Sequence, residues 1–568
     1  EAIRKHRSAY LMAVGGAAMH AVVTPVIEKL KVITLPGARQ RLWNGDITPY
    51  AHTIDVPPHS NPSDAGLHRL NNQQVLPHEG KHYVLSKDPL TEHYRAVHPR
   101  RPQAYQPTFR HNGHGVWVHE GEQPVMWERS QLKRRLGPLA QGFSDNDFEH
   151  ILKVCDVRED ELRRLYTENE PTPLLLIESL RQFRAYSKAM SAMSEVRAGR
   201  ISNELCSYAT AFTVELPGWP ASKAIELYDS LASQSAVVRY GNANASGADV
   251  IRISRADLMN GQLPERVVDA LSTSQLERLL GERTTLERSE RLESFRHRLS
   301  QQMEFNTQRL FISLYEDPLL STDPARPSIE LLQRIFPTLP TSIARRLVAD
   351  ANALELAALN SGKVPSRLMG AARRIQRDSR LSSAYLGLYL EGLVDKDTEM
   401  LVLNTLLELP GWRNDVRLEI RSNRFSGEVR ASCGASDVAE RKVLVRVSDG
   451  KYQAFDGLGN ELHGVDNLYN SLQHALPDAH RRAIGLPGVW QGGALKGRIQ
   501  QHALPREHLR VLLKMRGESQ PFFLPPERLP GGRVGYPLSG RGPITAQSSL
   551  ADTYRTRLFQ LYPSFTQA

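Results

Sequence analysis

Imidazole, thiol and carboxylate groups limit the chemistry a chain can perform, and the densest run of them is His111-Asn-Gly-His114-Gly-Val-Trp-Val-His119, with His78 and His82 upstream. Neutral imidazoles ligate zinc or copper. The spacings within this run do not match the HExxH helix, no cysteine joins it, and Gly113 and Gly115 read as turn residues. Loop or surface histidines are therefore expected, not metal ligands. The three cysteines, Cys155, Cys206 and Cys433, are too few and too scattered for a disulfide framework or a CxxC zinc site. A nucleophilic thiol needs a nearby base or positive field, and no local sequence supplies one. Cys155 falls on the apolar helical run Phe148 to Val157 and Cys206 in a similar helix, so both are expected to be buried; Cys433, between Ser432 and Gly434, is expected in an exposed turn. The glycine-rich stretch from Gly531 to Gly542 lacks the GKS or GKT ending of a phosphate loop, and Pro537 interrupts it, so it reads as a loop. No residue is assigned a catalytic, cofactor-binding or metal-binding role from the sequence.

The elements that would position such residues are organised by an internal repeat. Glu215-Leu216-Pro217-Gly218-Trp219 recurs as Glu408-Leu409-Pro410-Gly411-Trp412, a shift of 193. Upstream, Pro173, Leu176, Arg181, Phe183 and Ser187 align with Pro365, Leu368, Arg373, Ile375 and Ser379 at a shift of 192. Downstream, Ala270-Leu271 and Leu280-Gly281 correspond to Ala475-Leu476 and Ile484-Gly485 at a shift near 204 or 205, which implies a loop insertion. Each copy is expected to run from helices into a small β module. In the second, Val443, Val445 and Val447 alternate with other residues, Asp449-Gly450 turns, Tyr452 to Phe455 returns, and helical spacing resumes over Val465 to Leu476. In the first, Val250, Ile251 and Ile253 form a weaker strand, and Gln275 to Leu314 reads as one long bridging helix striped by leucines 279, 286, 292 and 299.

A chain of 568 residues suggests roughly two to four domains. The 40% hydrophobic and 24% charged fractions exclude wholesale disorder and a polytopic membrane protein. The net charge of +10 comes from arginines scattered among Glu and Asp, which provides no groove-lining stripe and points away from nucleic acid. The expected fold class is α+β, predominantly helical, with tandem helical units each followed by a small β-hairpin module and preceded by a β-rich layer. The expected divisions are an apolar N-terminal helix at 1–31, with Tyr10 to Ile27 as its apolar run; the β-rich region at 32–128; repeat units at 129–328 and 329–548; and the start of another helical unit at 549–568. An opening at Glu1 without an initiator Met and an ending just after an apolar turn suggest an internal stretch of a larger protein.

Arg101-Pro-Gln-Ala-Tyr105, His111-Asn-Gly113, Glu408 to Trp412, Tyr452-Gln-Ala-Phe-Asp456, Leu468 to Pro477 and Gly535 to Gly542 together resemble large effector-like proteins of Gram-negative bacteria. That family carries a dermonecrotic-toxin-like N-terminal region, often followed by leucine-rich repeats and a NEL-type ubiquitin ligase domain. The resemblance covers most of residues 32–568. Its ligase chemistry would use a cysteine in a Cys-x-Asp setting, absent here because Asp156 directly follows Cys155 and neither Cys206 nor Cys433 has Asp two positions on. The resemblance thus implies a secreted, non-catalytic scaffold or targeting region acting in the host cytoplasm. It would face a host protein or membrane surface, with ubiquitin machinery engaged only through other domains and no cofactor. The rival expectation is a toxin with its own enzymatic or membrane-penetrating action in the first 130 residues. A sugar-binding module stacking on Trp43, Tyr105, Trp117 and Trp127 is a third.

Overall fold

The computed structural model describes residues 30–515, apart from 35–38, 58–59, 61, 64, 89–92, 203–204, 233–234, 282–286, 316–323 and 449, together with 527–528 and 534–535. The expected helix over Tyr10 to Ile27, the segment 549–568 and most of the Gly531 to Gly542 stretch lie outside the described residues. The protein is mixed α+β with several sheets. It divides into two compact units, one ending at Leu180 and the other beginning at Arg181, so the boundary falls inside the helix Leu174–Arg197. No helix among the described residues is long and apolar enough to cross a membrane.

The first unit is an antiparallel sheet followed by helices. A separate hairpin pairs β1 (Lys31–Thr34) with β2 (Gln40–Trp43). The main sheet contains β3 (Ala51–His52), β4 (His68–Leu70), β5 (Gln73–His78), β6 (Lys81–Lys87), β7 (Tyr94–Ala96), β8 (Thr108–His111) and β9 (Trp117–His119). Its order is β4-β5-β6-β7-β8-β9, and β3 pairs with β6. Asn71 and Asn72 (φ 47° and 62°) turn β4 into β5, and Glu79 and Gly80 (φ 48° and 73°) turn β5 into β6. Two successive positive-φ residues match the right-handed twist of paired strands, which is why such turns close two-residue hairpins. Tyr83, Val84 and Leu85 are all buried, so both faces of β6 are covered. The helices Arg129–Arg135, Asp145–Cys155 and Glu159–Glu168 follow. Ser144 and Asp147 form a capping box at the second, and the buried Tyr166 hydroxyl of the third donates to the Leu132 carbonyl of the first at 2.8 Å.

The second unit holds two sheets among helices. In the first, β10 (Ala224–Tyr228) lies between β11 (Val238–Gly241), antiparallel to it, and β12 (Val250–Ser254), parallel to it. The second adds β13 (Val416–Ser422), β14 (Val429–Cys433), β15 (Glu440–Ser448), β16 (Lys451–Asp456) and β17 (Glu461–Asn467), in the order β14-β13-β15-β16-β17, with β13 antiparallel to β14 and parallel to β15. Fully buried Glu399, on the helix Lys396–Leu407, ties that helix to the sheet. It accepts from Arg430 Nε at 2.7 Å, and from Arg446 Nη1 and the Tyr452 hydroxyl at 2.8 Å each.

Several expectations are corrected. The expected single helix over Gln275 to Leu314 is three: Thr273–Leu280, Arg288–Phe305 and Thr307–Tyr315. Gly281, at φ 72°, ends the first of them in the left-handed conformation that an extended helix cannot adopt. Leu279 and Leu299 are core residues and Leu292 packs partly against the same core, while position 286 lies outside the described residues. Helical spacing does not resume at Val465, which lies on the edge strand β17; the helix begins at Leu468, where the Asn467 side chain accepts from the Tyr469 and Asn470 amides. Cys433 is buried at the end of β14 instead of exposed in a turn.

Candidate functional site

Folding of the first unit brings together His78 and His119 from the histidine-rich segments, and adds Glu122 and Arg135, which sequence spacing did not single out. The β5 hairpin delivers His78, and β9 ends at His119. The turn after β9 carries Glu122, whose Oε2 accepts the His119 backbone N–H at 2.9 Å. Arg135 ends the helix Arg129–Arg135 and is only 6% exposed. One ligand atom from each of His78, His119 and Glu122 lies within 4.8 Å of the others, a spacing that admits a cation.

The hydrogen bonding shows which cation the set holds. The Arg135 guanidinium donates through Nη1 to His78 Nε2 and through Nη2 to Glu122 Oε1. The Gly121 N–H donates to His119 Nδ1 at 3.2 Å, so in the neutral ring the proton sits on Nε2, which faces Glu122 Oε1 at 3.5 Å. A zinc ion at the usual ~2.0–2.1 Å would need bare lone pairs at these same nitrogens and this oxygen. The guanidinium occupies two of them and a proton occupies the third. The donor set therefore does not fit a metal ion; it is a cradle for a buried arginine.

The charges follow from that geometry. Burial, then the positive Arg135 and then His119 push His78 well below the ordinary imidazole range. Burial and then Arg135 lower His119 to about 4. Burial raises Glu122 to about 7 against the opposing pull of Arg135 and the His119 amide. Desolvation thus outweighs the ion pair for the carboxyl, and both rings are neutral at pH 7.

The remaining singled-out residues are dispersed. His111 stacks on Trp117 with ring centroids 4.6 Å apart, and its Nδ1 accepts the Gly113 N–H at 3.1 Å. His82 lies on β6 opposite His52 and Pro77. The His114 amide joins the Asn112 turn, whose side-chain oxygen accepts it at 3.0 Å. Trp43, Trp117 and Trp127 are core residues, so their faces do not present a sugar platform. The Tyr105 hydroxyl donates to Glu120 at 2.6 Å. All three thiols are buried; burial raises Cys206 and pushes Cys433 up to about 12. The sequence signals that could have found the cradle were the His119-x-x-Glu122 spacing and the basic run Lys133-Arg134-Arg135 at a helix end. No family model, curated protein or solved structure matches the chain.

Proposed function

We propose that the chain is a non-catalytic scaffold or targeting region of a secreted bacterial effector or toxin, built from two versions of one helix–sheet–helix unit, whose parent protein transfers ubiquitin through other domains. The observation that carries the scaffold reading is the correspondence between the two sheets of the second unit. Both place a central strand antiparallel to the next strand and parallel to the one after it. Gly218 and Gly411 (φ 90° and 87°) stand in the Leu-Pro-Gly-Trp turns, each where an added Cβ would run into a backbone carbonyl, of Arg278 and of Ala483. Gly241 and Gly434, separated by the same 193 residues, take φ 88° and 83° against the carbonyls of Lys223 and Val416. After the third strand the first version enters the helix Arg255–Met259, whereas the second continues into the β16–β17 hairpin, which accounts for the insertion as a hairpin instead of a loop.

Burial of Cys155, Cys206 and Cys433 supports placing ubiquitin transfer elsewhere, since a thioester acceptor must be a reachable thiolate. In this reading the repeated units present surfaces to a protein or membrane of the host cytoplasm. Ubiquitin charging on thioester-sensitive gels, with the full-length parent and with residues 1–568 alone, tests it. Charging of the parent only is the expected result. Charging of residues 1–568 would remove the non-catalytic reading, and an uncharged parent would remove the ligase assignment.

A further inference from the structure

We infer that a cavity in the first unit is a binding site for a small organic oxyanion, a carboxylate or phosphate monoester on an apolar body. This does not rest on the scaffold reading. The cavity holds about 750 Å³, within the range of small-molecule sites. Half-buried Phe143 contributes the reachable apolar wall, with the buried Leu76 and Trp117 lining behind it, and Lys133, Arg134 and Arg135 bring three successive positive charges from one helix end, against Glu79 as the acidic lining residue. Glu79 sits between two guanidinium groups without satisfying either: its carboxylate oxygens lie 3.2 Å from Arg135 Nε and 3.5 Å from Arg134 Nε, and Arg135 Nε has no hydrogen-bond acceptor. The outer nitrogens of Arg135 are committed to His78 and Glu122, so on this lining residue Nε is the buried donor left with the Glu79 ion pair alone and no hydrogen bond. A buried donor without an acceptor is costly, and a charge-assisted bond from an incoming oxyanion removes that cost. Lys133 is held by Asp145, a residue whose own side chain is 69% exposed, at 2.5 Å and by the Phe143 carbonyl at 3.0 Å, so turning to a ligand exchanges a solvent-weakened ion pair while the carbonyl bond can stay. The apolar wall then selects an anion with a hydrocarbon or aromatic body over a bare inorganic one.

Calorimetric titration of the full chain with benzoate, phenyl phosphate and inorganic phosphate at constant ionic strength tests this. One of the two organic anions should bind with one-to-one stoichiometry and about tenfold or more tighter than inorganic phosphate. Whichever wins identifies the head group. Arg134→Gln, at a side chain that is 53% exposed, should weaken that binding about tenfold while leaving the melting temperature unchanged, and Arg413→Gln in the other unit should leave it as in the parent chain. The inference is overturned if neither organic anion binds below about 10 mM, if inorganic phosphate binds equally well, or if Arg134→Gln binds like the unaltered chain.

Discussion

Arg135 is a charge taken out of water on the strength of its neighbours, and that makes its removal asymmetric. Arg135→Met keeps most of the volume but takes the donor away from His78 and Glu122, whose carboxyl, already raised to about 7, protonates instead of staying charged, so a loss of about 1–3 kcal/mol in denaturant unfolding is expected. A loss below about 1 kcal/mol would mean that the cradle contributes no more than a surface pair. The same residues set a pH dependence whose signs oppose. Glu122, raised to about 7, contributes stability that is complete below its ordinary 4.5 and is lost as pH rises toward 7. His119, lowered to about 4, contributes stability that is complete above its ordinary 6.5 and is lost as pH falls toward 4, and His78 acts in the same sense. Two rings against one carboxyl leave this cluster less stabilising at pH 5 than at pH 7. His119→Gln, which removes one ring, should narrow the stability gap between those two pH values, and an unchanged gap would show that His119 does not titrate as its surroundings require.

At the level of elements, legibility followed how local the cause was. The strands β6, β7, β9, β12, β13, β15 and β16 overlap segments whose own alternation or β-branched content marks them, whereas β10 takes its parallel partner β12 from beyond the intervening β11, which residue type does not reveal. Cys433 was misplaced because Ser432 and Gly434 read as a turn, whereas antiparallel pairing with Leu418 on the preceding strand β13 carries the thiol into the sheet. The histidine cradle was half legible, since His78 and His119 stood out by type while Arg135 and Glu122 became partners only through a fold that brings a helix end against two hairpins. The Leu-Pro-Gly-Trp phrases were legible as a recurrence but not as turns, and their glycines can be tested as elements. At Gly218 and Gly411 a side chain would meet positive φ and a backbone carbonyl at once. Gly218→Ala and Gly411→Ala should each cost about 2 kcal/mol or more, and by similar amounts if the two turns do the same job. Gly362, also at positive φ (79°) but with open space around it, is the control in which only the backbone cost remains.

Across the whole molecule, the division at Leu180 and Arg181 separates the cradle from both sheets of the second unit, so damage to one unit should leave the other's core intact. Compact units with their own cores unfold as separate cooperative transitions when their mutual stabilisation is small. Scanning calorimetry of the full chain should then resolve two transitions, with Arg135→Met lowering one and Gly411→Ala lowering the other. The telling comparison is Gly218→Ala. Its turn belongs to the first sheet and Gly411 to the second, yet both sheets lie within Arg181–Phe522. On the proposed reading of the two sheets as versions of one repeat, merger into one cooperative body means that Gly218→Ala and Gly411→Ala will lower the same transition. If each version remains its own folding unit, a third transition will separate, and Gly218→Ala will move it alone. A duplicated unit that had kept its independence could be moved or lost without consequence for its twin, whereas one that had merged makes the pair a single rigid surface. A scaffold that presents that surface to a partner requires the merged body, in which Gly218→Ala and Gly411→Ala lower the same transition.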